Sequence, residues 1–140
     1  MAQGGQPGPS SNPFFTIEPT NLRMTDPSGA DTTVIPQGTS FDVAMEFKFG
    51  GSFRSFFVAI PLTYTVNYTF DGRGVPDGPL QSTGAKTTIA GQFEYKDADT
   101  KVTVPGTALA AGTYELTAVV TFAGGLPMSA FIDLPVISIF

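Results

Sequence analysis

Two aspartates stand one residue apart in Tyr95-Lys96-Asp97-Ala98-Asp99-Thr100-Lys101. Alternate acids are the spacing that calcium loops use, because hard oxygen ligands must converge from one side of a turn. Asp97 and Asp99, flanked by lysines, fall well short of the oxygens calcium takes, so the segment reads first as a solvated hairpin and only second as a calcium site. Asp71-Gly72-Arg73-Gly74-Val75-Pro76-Asp77-Gly78 is richer in turn residues than in ligands and lacks the basic grammar of a phosphate loop. Paired carboxylates for glycoside chemistry would have to flank a cleft, whereas strand alternation sends Asp42, Glu46 and Glu115 to solvent. With no Cys, His or Trp, disulfides, Cys/His zinc sites and Cys–His or Ser–His–Asp catalysis are excluded. No catalytic residue, metal or cofactor is therefore expected. Seven basic residues against twelve acidic ones, with a pI near 4.4, also argue against a grip on nucleic acid or on an anionic membrane.

The elements that must carry any surface of this chain have a period of two. Residues 41–49 place Phe41, Val43, Met45, Phe47 and Phe49 on one face and Asp42, Ala44, Glu46 and Lys48 on the other. Residues 62–70 and 114–122 alternate in the same way, with Tyr64 and Tyr68 inward and threonines outward, as suits a half-buried strand. Shorter strands are predicted at 14–18, 21–25, 33–35, 88–95, 101–104 and 128–140. Pro135 marks a change of register or partner near Leu134. Sixteen Gly and twelve Pro, many in turn pairs such as Asp26-Pro27-Ser28-Gly29 and Gly50-Gly51, leave helix content near zero. Seven to nine short strands with regular turns predict an all-β, two-sheet antiparallel sandwich over residues 14–140. Residues 1–13 are nearly all Gly, Gln, Pro, Ser and Asn, and their composition predicts a flexible arm.

Leu109-Ala110-Ala111-Gly112-Thr113-Tyr114 immediately precedes an alternating strand, and there the chain resembles bacterial immunoglobulin-like and fibronectin-like domains. The resemblance implies an immunoglobulin-like sandwich. Leu109, Gly112 and Tyr114 would then shape a tyrosine corner, whose hydroxyl turns back to a backbone group a few residues upstream. It is a likeness of fold and carries no activity.

Thirteen Phe with only 14% charged residues is an apolar surplus for a chain of this length. Residues 53–60, Phe-Arg-Ser-Phe-Phe-Val-Ala-Ile, are apolar on both faces of any strand they could form. Either they extend a strand covered by the arm or by the 71–86 loop, or they meet another protein. The segment ending Val136-Ile137-Ser138-Ile139-Phe140 leaves an edge open to a strand from a neighbouring subunit. The expected interface residues are thus Phe53, Phe56, Phe57, Val58, Ile60, Ile137, Ile139 and Phe140. The expected function is a non-catalytic, self-assembling structural module that forms homo-oligomers or decorates a larger assembly. The alternative is an adhesin-like or carbohydrate-binding accessory domain, whose aromatic platform would be Tyr95, the one tyrosine expected to face outward. The opening residues lack the pattern of a signal peptide, which favours the cytoplasm, although a mature secreted chain would look the same. No apolar run is long enough to insert in a membrane.

Overall fold

A computed structural model describes residues 14–123 and 128–140, apart from the side chain of Phe57; the arm expected over 1–13 and the Gly124-Gly125 turn lie outside the described residues. The described elements are β1 (Thr16–Thr25), β2 (Asp31–Thr32), β3 (Val34–Ile35), β4 (Phe41–Gly50), α1 (Arg54–Phe57), β5 (Thr63–Arg73), β6 (Gln81–Ser82), β7 (Lys86–Thr87), β8 (Glu94–Tyr95), α2 (Asp97–Thr100), β9 (Val102–Val104), β10 (Gly112–Ala123) and β11 (Met128–Ile139). They form two curled sheets, an arrangement compatible with a β-sandwich. One sheet runs β2-β1-β4-β8, with β9 also on β4; the other runs β3-β11-β10-β5-β6, with β7 also on β5.

The long strands follow the alternation. Val43, Met45, Phe47 and Phe49 of β4 face Tyr64, Val66, Tyr68 and Phe70 of β5 and Leu116, Ala118, Val120 and Phe122 of β10 across one core, all buried. Phe47 sits at its centre, stacked on Tyr95 at 4.9 Å and edge-on to Tyr64, Phe49 and Phe122. Such aromatic pairs add about 1 kcal/mol each beyond the area they bury. Phe41 meets Phe70 edge-on nearer the other end.

Two ladder irregularities have physical causes. The runs at 14–18 and 21–25 join into one strand, because a register shift between Thr20 and Arg23 absorbs the polar break, with Asn21 at a φ of 55°. The shift between Tyr114 and Leu116 opposes Glu115 to two residues of β11, Pro135 and Val136, so the proline that cannot donate sits in a bulge. Helix content is near zero, as expected, and consists of two single turns, α1 and α2, each of four residues. The run at 88–95 shrinks to Glu94–Tyr95. Among the described residues no helix is long and apolar enough to cross a membrane.

Candidate association surface

The apolar segment 53–60 is not a strand. Gly51 ends β4 with a φ of 95°, and a Cβ there would lie 2.4 Å from the carbonyl oxygen of Phe14, so only glycine lets the start of β1 pass this close. The Phe53 N–H donates to that same carbonyl at 2.8 Å, and the Phe14 and Phe53 rings stack at 5.1 Å. α1 then turns the chain so that Phe56 and Ile60 stay outside, 68% and 52% exposed, beside Phe14 at 51% and Phe53 at 53%. Ile89, 61% exposed, joins this end through the loop whose Gly91 N–H donates to the Val58 carbonyl. Arg54 lies over the Phe93 ring, 4.7 Å from its centroid.

Several expected contact residues are placed elsewhere. Val58 is buried, because α1 rolls it under the loop into the core. Ile137 and Ile139 are buried on the inward side of β11. The edge there is closed by the chain itself: β3 pairs in parallel with Ser138 and Ile139, Ser138 N–H donates to Thr33 at 2.8 Å, and Phe140 N–H donates to Ile35 at 3.1 Å. Phe140 stays outside with Val34 and Val136, but no free edge is left at that point for another subunit's strand. Phe14 and Ile89 belong to the apolar end without having been singled out. In Phe14-Phe15 two adjacent rings cannot both face inward on a strand, a signal that was available.

Tyr95, expected outward as a sugar platform, is 1% exposed: its ring stacks on Phe47 and its hydroxyl accepts the Ile89 N–H at 2.9 Å. Tyr64 and Tyr68 donate to the carbonyls of Asp99 and Thr100 at 2.9 and 2.7 Å. Thr100 is itself buried, its hydroxyl donating to the Met45 carbonyl and accepting the Met45 N–H. Desolvation raises all three of these phenols; Tyr64 is pushed up to about 12, with the Asp99 charge contributing. The Asp97-x-Asp99 pair is therefore not a hairpin but part of the helical turn that receives the Tyr64 and Tyr68 hydroxyls. Asp97 pairs with Arg23, which also faces Glu46, and Asp99 accepts the Lys96 N–H at 3.2 Å, so both carboxylates are engaged by the chain's own donors.

At the opposite end, the Tyr114 hydroxyl donates to the Ala110 carbonyl at 2.7 Å, Leu109 is buried against Gly78, and Gly112 has a φ of 156° where a Cβ would press on Val75. The turns and strand tips of that end, 25–42, 71–79 and 104–113, carry Asp26, Asp31, Asp42, Asp71 and Asp77 against Arg73 alone. Asp26 accepts from the Ser28 hydroxyl and the Ala30 N–H, which hold its carboxyl below the usual range. Among the described residues, the segments of the apolar end, 14–17, 50–62, 88–93, 121–123 and 128–129, contain Arg54 as their one ionisable side chain, with the Glu18 carboxylate against Thr16 and Gly50 and Lys86 opposite Tyr64 at the border. An open cleft of about 340 Å³ between the β1 and β11 edges, lined by Leu22, Arg23, Met24, Asp31, Thr32, Thr33 and Leu134, has its one cation already paired with Asp97.

No protein-family model matches this chain, and no curated protein sequence matches it.

Proposed function

We propose that this chain is a non-catalytic association module on an immunoglobulin-like sandwich, which assembles with copies of itself or decorates a larger particle through its apolar end. The observation that carries it is the group Phe14, Phe53, Phe56, Ile60 and Ile89, five large apolar side chains each at least half exposed on one nearly uncharged end. Exposed apolar groups gathered on one end mark contact surfaces, because water is displaced from them at little cost in desolvated charge.

Two features support the immunoglobulin-like assignment. The order β1-β4-β9 in one sheet and β5-β10-β11 in the other follows the two-sheet order of that fold. The Tyr114 hydroxyl bond to Ala110 is the geometry of a tyrosine corner. The hairpin of β1 with β2 is an addition to that pattern. Carbohydrate binding would need another platform, since Tyr95 is inside.

The test is electron microscopy and light scattering of purified protein beside the triple variant F53S/F56S/I60S, with retention of both on a phenyl matrix. Assemblies larger than one chain and strong retention, both lost in the variant, are expected. Equal retention of the two proteins would overturn the proposal.

A further inference from the structure

We infer that the occupant of the apolar end is a second copy of this chain, docked end to end about a two-fold axis with the acidic ends pointing away from each other; the inference rests on the association function proposed above. The first support is area. Taking about 200 Å² for a fully exposed large side chain, the exposed fractions of Phe14, Phe53, Phe56, Ile60 and Ile89 amount to roughly 550 Å². A standard interface buries about 800 Å² per partner, of which somewhat over half, about 500 Å², is apolar. The patch therefore matches one complete side of a stable interface. The exposed fractions of Val34, Val136 and Phe140, near β3 and the end of β11, come to about 350 Å² on the same scale. A head-to-tail contact would leave part of the larger patch wet, whereas a like-with-like contact closes the area on both sides.

The second support is charge. Five aspartates and Glu115 against Arg73, which pairs with that glutamate, give the opposite end a net charge of −5, while the apolar end has Arg54 with Glu18 and Lys86 at its border. Head-to-tail docking would press apolar rings onto that group of carboxylates and strip their water. Two-fold docking leaves them solvated and separates the like charges of the two copies by the length of both molecules, well beyond a Debye length of about 8 Å. A lipid surface is the other apolar partner to weigh. Interfacial anchoring uses Trp and Tyr with Lys or Arg, whereas this chain has no Trp, its four tyrosines are buried, and Arg54 already lies over Phe93.

Because the chain has no native cysteine, single-cysteine variants report the geometry directly. Ser55→Cys, exposed on α1, is expected to form a disulfide-linked dimer on mild oxidation at micromolar concentration. Ser28→Cys, exposed at the acidic end, is expected to stay single, and sedimentation of the wild type is expected to give twice the chain mass. Ladders appearing only when both cysteines are present in one chain would establish head-to-tail assembly and overturn the inference. Flotation of the wild type with phosphatidylcholine vesicles, lost in F53S/F56S/I60S, would assign the patch to lipid and overturn it as well. A wild type of single-chain mass that is still retained on phenyl matrix through Phe53, Phe56 and Ile60 would overturn the two-fold dimer while leaving the association surface intact. A single-chain mass with retention unchanged by the triple variant would overturn both.

Discussion

The same long strands run between both ends of this molecule, yet the ends have opposite surfaces. At one, β1 begins and β4 finishes in a close crossing of backbones at Gly51, and the turn into α1 leaves Phe53 and Phe56 outside. At the other, the reversals are wide turns filled with aspartates, several of which serve as turn acceptors: Asp26 takes the Ser28 and Ala30 N–H groups, and Asp77 takes that of Gly72. Short carboxylates satisfy turn backbones locally and remain in water, whereas at the crowded end backbone groups bond one another, as Phe53 N–H does to Phe14 and Gly91 N–H to Val58, and rings lie outside. The contrast shows that the core, shared by both ends, does not dictate surface chemistry; the connections do.

The largest test of this contrast compares two glycines. Gly51→Ala is expected to cost about 3 kcal/mol, combining positive-φ strain with a backbone clash at Phe14. Gly29→Ala, which has a φ of 88° in the open Asp26 turn with nothing within 4 Å, is expected to cost about 1 kcal/mol. Urea midpoints of the two variants check this, and equal costs would erase the distinction. At the acidic end Tyr114→Phe should lose about 1 kcal/mol, the net value of one hydroxyl bond to Ala110, again read from the urea midpoint.

The remaining two tests use pH. Tyr64 has a folded-state pKa of about 12 against 10.0 for the free phenol, so the folded protein holds this proton more tightly. Its contribution to stability is complete below pH 10 and falls away as pH rises toward 12. The tyrosinate absorbance lost in Tyr64→Phe and the circular dichroism should therefore change together in that window, and ionisation of this one phenol near pH 10 with the fold intact would contradict its buried contact to Asp99. The smallest effect is expected from Asp26. Its lowered pKa gives a contribution that is present above the ordinary value of 3.8 and is lost as pH falls through the lower folded value. Amide exchange of Ser28 and Ala30 should quicken there before any global transition.

Much of the fold is legible in the chain because alternation encodes which face of a strand is buried. β4, β5 and β10 emerge from their apolar positions alone, and Pro135 announces the bulge in β11. The strand ladder hides two things. Tyr95 is inward because a two-residue strand brings it onto Phe47, a pairing that no local pattern contains. The closure of β11 by Val34 and Ile35 joins distant segments, so the edge looks open when read along the chain. Of the surface candidates, Phe53, Phe56, Ile60 and Phe140 are outside, while Val58, Ile137 and Ile139 are not, and the side chain of Phe57 lies outside the described residues. A four-residue helical turn reassigns faces that a strand would have alternated, and that reassignment depends on the close backbone crossing at Gly51.

The parallel pairing of Val34 and Ile35 with Ser138 and Ile139 also governs the order of events during folding. Roughly a hundred residues separate the partners, so their loop can close only after nearly all the intervening strands have been made, and contacts of such long range slow the search for the native state. During synthesis, the carbonyls of Thr33 and Ile35 must wait for their Ser138 and Phe140 donors until that late segment arrives. The time spent waiting, rather than the finished molecule, is when this polypeptide is most exposed to mispairing with its neighbours.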